Sequence, residues 1–157
     1  MTLSQSLTSL GDAVRADYLI TDKLSIDEMT SLLSGKNELE KGLGDDPFND
    51  GVDIAKGSDG YTLTGKVAGS RIALNLAGQI SLKGKTLTIY FQASTDDADG
   101  VPLQLGPLSG RCIYLTVKAK DMTGYYITLT FTTNNSLSIV FNKAASIKIK
   151  SLRVWLV

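Results

Sequence analysis

Residues 86–93 read Thr-Leu-Thr-Ile-Tyr-Phe-Gln-Ala, and their alternation decides the fold. At a repeat of two, Leu87, Ile89 and Phe91 fall on one side of an extended chain, with Thr88, Tyr90 and Gln92 on the other. One side is greasy and the other carries hydroxyls, an amide and a ring, as expected of a strand that covers a core with one face only. The split recurs downstream. In 112–119, Ile113, Leu115 and Val117 oppose Tyr114 and Thr116; in 125–132, Tyr125, Ile127, Leu129 and Phe131 oppose Tyr126, Thr128 and Thr130. In the last run, Leu152, Val154 and Leu156 oppose Arg153 and Trp155. That set is out of phase with Ile147 and Ile149 unless a bulge near Ser151 inserts one residue.

Working outward, the same period marks strands over Val52 to Ala55, Tyr61 to Val67, Ile72 to Leu76, Thr86 to Ala93, Cys112 to Ala119, Tyr125 to Thr132, Leu137 to Phe141 and Ile147 to Leu156, separated by Gly, Asp and Asn clusters. Many short strands with no helical period between them predict an antiparallel sandwich or barrel over 52–157.

Upstream the period changes. Leu3, Leu7, Leu10 and Val14 recur at intervals of four, three and four, which is one stripe of a helix over Thr2 to Asp17, weakened by Gly11. Ser25-Ile26-Asp27-Glu28 is a capping box for a second short helix, with Leu24 and Met29 as its staple and Gly35 as its stop. Helices this short seldom hold alone in water, so their apolar stripes need a surface: the sandwich itself, copies of themselves, or another protein. Residues 36–51 are polar and without period, with turns at Asp46-Pro47 and Asp50-Gly51, and read as a linker between a helical segment at 1–35 and the sandwich.

Composition narrows the chemistry. The 157 residues carry 16 basic and 16 acidic side chains, so no overall field favours nucleic acid or an anionic membrane. No run approaches the roughly 20 apolar residues that span a bilayer, and the polar start lacks the pattern of a secretory signal; synthesis in the cytosol as a soluble protein is expected. With no histidine, the commonest general base and transition-metal ligand are missing. The lone Cys112, within an apolar alternation, reads as a buried inert thiol. The loop Thr95-Asp96-Asp97-Ala98-Asp99-Gly100 has carboxylates suited to calcium but lacks the spacing of a helix-loop-helix site, and reads as a solvated hairpin loop. No metal and no cofactor is expected, and no enzyme.

The outward sides of four strands carry Tyr90, Tyr114, Tyr126 and Trp155 among hydroxyls and amides, with Gln92 and Arg153 beside them. Flat rings among hydrogen-bonding groups suit a pyranose, whose C–H face stacks on a ring while its hydroxyls find polar partners. These six are the candidate ligand-binding residues; Arg71 and Arg111 are further donors on or beside strands. The alternative is structural, with the rings covering a sheet, pairing across strands, or packing under the N-terminal helices.

Two stretches resemble known families. Leu-Lys-Gly-Lys-Thr-Leu-Thr-Ile-Tyr-Phe-Gln-Ala at 82–93 and Ser-Ile-Lys-Ile-Lys-Ser-Leu-Arg-Val-Trp-Leu at 146–156 resemble the central and closing strands of jelly-roll carbohydrate-binding modules. Leu-Thr-Ser-Leu-Gly-Asp-Ala-Val-Arg at 7–15 with Thr-Asp-Lys-Leu-Ser-Ile-Asp-Glu-Met at 21–29 resembles a helical module of tail, baseplate and head-fibre proteins of phages of Gram-positive bacteria, although the region at Tyr18 departs from that module's Lys-Thr-Gly. Together they imply a mostly β chain: an antiparallel jelly-roll β-sandwich preceded by a short N-terminal helical segment. They also imply a virion protein that binds host cell-wall or capsular polysaccharide. Leu3, Leu7, Leu10 and Val14 would attach it to other virion proteins or join it into a homo-oligomer, a trimer being favoured. A purely structural capsid or tail decoration is the competing expectation.

Overall fold

The computed structural model describes residues 2–17, 25, 26, 29, 41–42, 49–76, 82–107, 111–118, 120–132 and 137–156. Helix α1 spans Leu3–Asp17. Its start is fixed by a reciprocal cap: Gln5 N donates to Thr2 Oγ1 at 3.2 Å while Thr2 N donates to Gln5 Oε1 at 2.7 Å. Two orphan amides of the first turn are thereby satisfied. In the second segment Met29 N donates to Ser25 O, a helical link; Glu28, Leu24 and Gly35, the rest of its expected cap, staple and stop, lie outside the described residues.

Among the described residues eleven strands follow: β1 (Lys41–Gly42), β2 (Val52–Gly57), β3 (Gly60–Gly65), β4 (Arg71–Ala73), β5 (Asn75–Leu76), β6 (Thr86–Ser94), β7 (Val101–Pro107), β8 (Ile113–Val117), β9 (Thr123–Thr130), β10 (Leu137–Phe141) and β11 (Ala145–Leu156). They form a five-stranded sheet in the order β2-β3-β11-β6-β9, a four-stranded sheet in the order β4-β10-β7-β8, and the small ladder β1-β5, all antiparallel. The two larger sheets face each other across one core. Leu63, Leu87, Ile89, Phe91, Ile147 and Val154 enter it from the first, and Ile72, Leu103, Leu105, Leu137, Ile139 and Phe141 from the second. The residues that the alternation turns inward are those found in or against this core, so the antiparallel sandwich stands, although on β6 the outward Thr88 and Tyr90 are buried as well.

The bulge is where the period required it. Lys150 pairs with Gln92 and Arg153 with Tyr90, three residues on β11 against two on β6, and Ser151 takes a left-handed φ of 57°. Ile149 and Val154 thereby both point inward although one is odd-numbered and the other even.

Three expectations need correction. The run Tyr61 to Val67 ends as a strand at Gly65, and Ile72 to Leu76 divides at Leu74 into β4 and β5, which join different ladders. The linker is not wholly irregular, because Lys41–Gly42 pairs with Asn75–Leu76. Strand β7 went unread, since Pro102, Gly106 and Pro107 argue against a strand, least of all an internal one. The fold accommodates Pro102 at the end of its neighbour: its carbonyl accepts from Asn142 N, one residue past the last of β10, so the missing N–H falls where that ladder stops. The turn expected at Asp50-Gly51 is present, with Gly51 at φ 73° and Asp50 bridged to Arg71. Asp46-Pro47 lies outside the described residues.

The free edges of the two sheets are tied by Tyr125. Its ring stacks on Phe91, centroids 5.2 Å apart, and its hydroxyl accepts from Lys118 N at 2.9 Å and reaches Thr116 O at 3.3 Å, both on the chain of β8. Burial pushes this phenol above its ordinary value. Because the folded state favours the neutral form, the stabilisation is complete below pH 10 and declines as pH rises through the raised pKa. Tyr125→Phe is expected to cost about 1 kcal/mol near neutral pH. A difference titration of tyrosinate absorbance between wild type and variant should show one phenol ionising later than a free tyrosine; a difference centred at or below the free value would refute the assignment.

Candidate functional site

Five of the six predicted ligand residues share the outer face of the five-stranded sheet. Tyr90 on β6 pairs with Tyr126 on β9 and with Arg153 on β11; Trp155 pairs with Thr88; Gln92 lies two residues from Tyr90 and opposite Lys150. The Arg153 guanidinium sits 4.7 Å from the Trp155 ring centre, a cation–π pair.

This face is closed at its aromatic end. Tyr90 and Trp155 are each 1% exposed, in a second small core with Val14 and Met29, and Tyr126 is half-buried against them. The physical reason is area: rings side by side on neighbouring strands make an apolar patch that water disfavours, and the N-terminal segment supplies the matching side chains. Trp155 Nε1 is buried without a hydrogen-bond partner among the described residues. The open remainder is polar and without rings. Lys148 pairs with Asp96 at 3.2 Å, Thr64 and Ser146 share a hydrogen bond at 2.7 Å, and Lys150 is exposed.

Tyr114 lies elsewhere, so the four rings do not form one platform. It stands on β8 at the edge of the four-stranded sheet, 70% exposed. Its neighbours Ile113 and Leu115 pack inward, which turns its ring to the outer face. Register then defines a row: Tyr114 opposes Gln104 on β7, Gln104 opposes Val140 on β10, and Val140 opposes Arg71 on β4. Each flanks inward-facing core residues, so all four share the outer side, with Gln104, Val140 and Arg71 half-buried. At the usual spacing between strands the row runs about 14 Å. Thr116 lies two residues along β8 on the same face, and Asp50 closes the far end beside Arg71 at 3.8 Å.

The row offers a ring to stack on, an amide able to donate and accept, and a guanidinium fork. Sequence reasoning found Tyr114 and noted Arg71, but missed Gln104 and Val140 as their companions. Gln104 was hidden with β7, and Val140 is a plain apolar residue until register sets it there.

The remaining candidates do not converge. In the 95–100 loop, Asp97 pairs with Lys143 at 2.7 Å and Asp96 turns to Lys148, while Asp97 also accepts from Asp99 N at 3.1 Å. The Lys143 ammonium holds the Asp97 carboxyl below its ordinary value. Among the described residues, no three His, Cys, Asp or Glu side chains come together as metal ligands. Cys112, expected buried, is half-buried, and Arg111 is exposed. Of the expected oligomerisation stripe, Val14 is docked on the protein's own sheet, whereas Leu3, Leu7 and Leu10 are 77%, 39% and 48% exposed. No described helix is long and apolar enough to cross a membrane.

No protein-family model and no curated protein matches the chain. Among solved structures it is similar to a family 29 carbohydrate binding module from Piromyces equi, at 17% identity and a TM-score of 0.53 over 76% of this chain and 86% of that one. It is also similar to a carbohydrate binding module of Cellvibrio mixtus lichenase 5A, solved with cellotriose, at 12% identity and 0.53 over 75% and 97%. A C-terminal family 6 module from Zobellia galactanivorans matches at 12% identity and 0.54 over 74% and 98%. Identities this low establish the fold: the sandwich is a jelly roll of the kind built by carbohydrate-binding modules.

Proposed function

We propose that this chain is a non-catalytic saccharide-binding module whose open platform is the row Tyr114, Gln104, Val140 and Arg71. The observation that carries the reading is the 70% exposure of Tyr114 in register with hydrogen-bonding neighbours across a whole sheet. What points to a ligand is the company of the ring: an open aromatic face with an amide and a guanidinium in register beside it suits a pyranose, which stacks its C–H face and shares its hydroxyls. The likeness to carbohydrate-binding modules supports the same ligand class. The balance of charges suits a neutral saccharide.

The setting we propose, a phage virion with host cell-wall or capsular polysaccharide as target, rests on the resemblance of residues 7–15 and 21–29 to phage helical modules. There the exposed Leu3, Leu7 and Leu10 would face other virion proteins or further copies, trimers being favoured, and many weak sites would act together. A structural decoration is the second reading; what favours it is that Tyr90 and Trp155, two of the rings read as ligand-binding, are covered while α1 is docked.

Burying a side chain of this size is worth roughly 1.5–3 kcal/mol, so Tyr114→Ala should weaken saccharide binding about 10- to 100-fold without altering stability. A glycan array followed by calorimetry on wild type and variant tests this. Equal binding by both, or none by an oligomeric wild type, overturns the platform.

A further inference from the structure

The five-stranded sheet presents rings on its outer side, yet the rings are shut beneath another part of the same chain. Tyr90 and Trp155 sit outside the sandwich core, in a cluster completed by Val14 and Met29. Among the described side chains of α1, Gly11 and Val14 are buried and Arg15 half-buried, while Leu3, Leu7 and Leu10 on the same stripe stay in solvent. Gly11 lies close to Met29, since a Cβ there would lie 3.5 Å from Met29 Sδ.

Beneath the cover one polar atom is left wanting. Trp155 Nε1 is buried with no partner among the described residues, in a side chain that is 1% exposed. A buried N–H without an acceptor weighs against the closed state, and any ligand that brings an oxygen to it would be favoured over the helix at that point. Arg153, already stacked on the same ring, and Gln92, two residues from Tyr90, edge the patch with donors.

We propose that α1 with Met29 is a removable cover, and that its departure opens Tyr90, Tyr126 and Trp155 as a second saccharide face on the side of the sandwich opposite Tyr114. This extends the saccharide reading above and rests on it for the ligand class. A ligand that binds only the open form pulls the equilibrium toward it, and its apparent affinity is reduced by the fraction of molecules that are open. Removing the cover therefore raises affinity with no new contact. If 1–10% of molecules are open at rest, forced opening gains about 10- to 100-fold.

Trp155 is the single tryptophan, so its fluorescence reads the cover directly. Val14→Glu in the full chain keeps a good helix former while placing a charge that has no place on the rings. The expected result is a red-shifted emission and easier acrylamide quenching, with the β signature in circular dichroism kept; Val14→Ala, milder, should move both in the same direction by less. Wild type, Val14→Glu, Tyr114→Ala and the double variant are then run on one array of neutral and acidic oligosaccharides, cellotriose among them. The double variant should bind at least tenfold more tightly than Tyr114→Ala alone. An unshifted emission in both Val14 variants overturns the cover. A shifted emission with no binding by the double variant, while Val14→Glu with Tyr114 intact still binds, overturns the second face and leaves the Tyr114 platform standing. Silence of all four proteins overturns both readings.

Discussion

Replacing Gly65 with alanine is expected to destabilise the sandwich by about 3 kcal/mol, a fall in Tm of roughly 6–12 °C for a chain of this size. Gly65 ends β3 and is buried, and across the core from it lies Phe141 at the end of β10, itself fully buried. A Cβ at Gly65 would lie 2.6 Å from Phe141 Cγ and 2.8 Å from its Cβ. Neither is the free end of a flexible chain, so the ring or the strand must move. A packed interior has little room for either. Phe141→Leu alone removes part of the ring at a cost of about 1–2 kcal/mol, and it also makes space where the new methyl would go. The double variant should therefore be more stable than the sum of the two single losses by at least about 1 kcal/mol. Urea melts of the four proteins give the cycle. A Gly65→Ala protein within about 0.5 kcal/mol of wild type would mean that the two sheets are not in contact here.

The same jigsaw explains what could be read from the sequence. Strands with one wet and one dry side announce themselves, and Leu87, Ile89 and Phe91 point inward as their spacing demands. Even the bulge at Ser151 was legible, because two inward sets of opposite parity on one strand admit few other solutions. Strand β7 was not, because Pro102 and Pro107 mask an alternation that Val101, Leu103 and Leu105 otherwise keep, and nothing local says that Pro102 will face the end of a neighbour. The site was legible only in part for a related reason. Period two tells which residues turn outward but not which sheet they belong to or what else covers them. Tyr90, Tyr114, Tyr126 and Trp155 look alike by that rule, yet one stands in water, one is half-covered and two are sealed, since strand order and the docking of α1 are long-range facts.

Trp155→Ala and Trp155→Phe are expected to part company widely. Alanine removes a large ring from beneath Val14 and Met29 and should cost about 3–5 kcal/mol. Phenylalanine keeps most of the apolar area and deletes Nε1, which has no partner among the described residues. An unsatisfied buried donor costs about 1–3 kcal/mol, which offsets the smaller ring and its weaker attraction for the Arg153 guanidinium. The net change for Trp155→Phe should lie within about 1 kcal/mol of zero. Chemical melts followed by circular dichroism, which do not depend on the lost fluorophore, measure both. If phenylalanine costs more than about 2 kcal/mol, the indole N–H has an acceptor in the folded protein, and the covered face is then a finished piece of core with no vacancy for a ligand to fill.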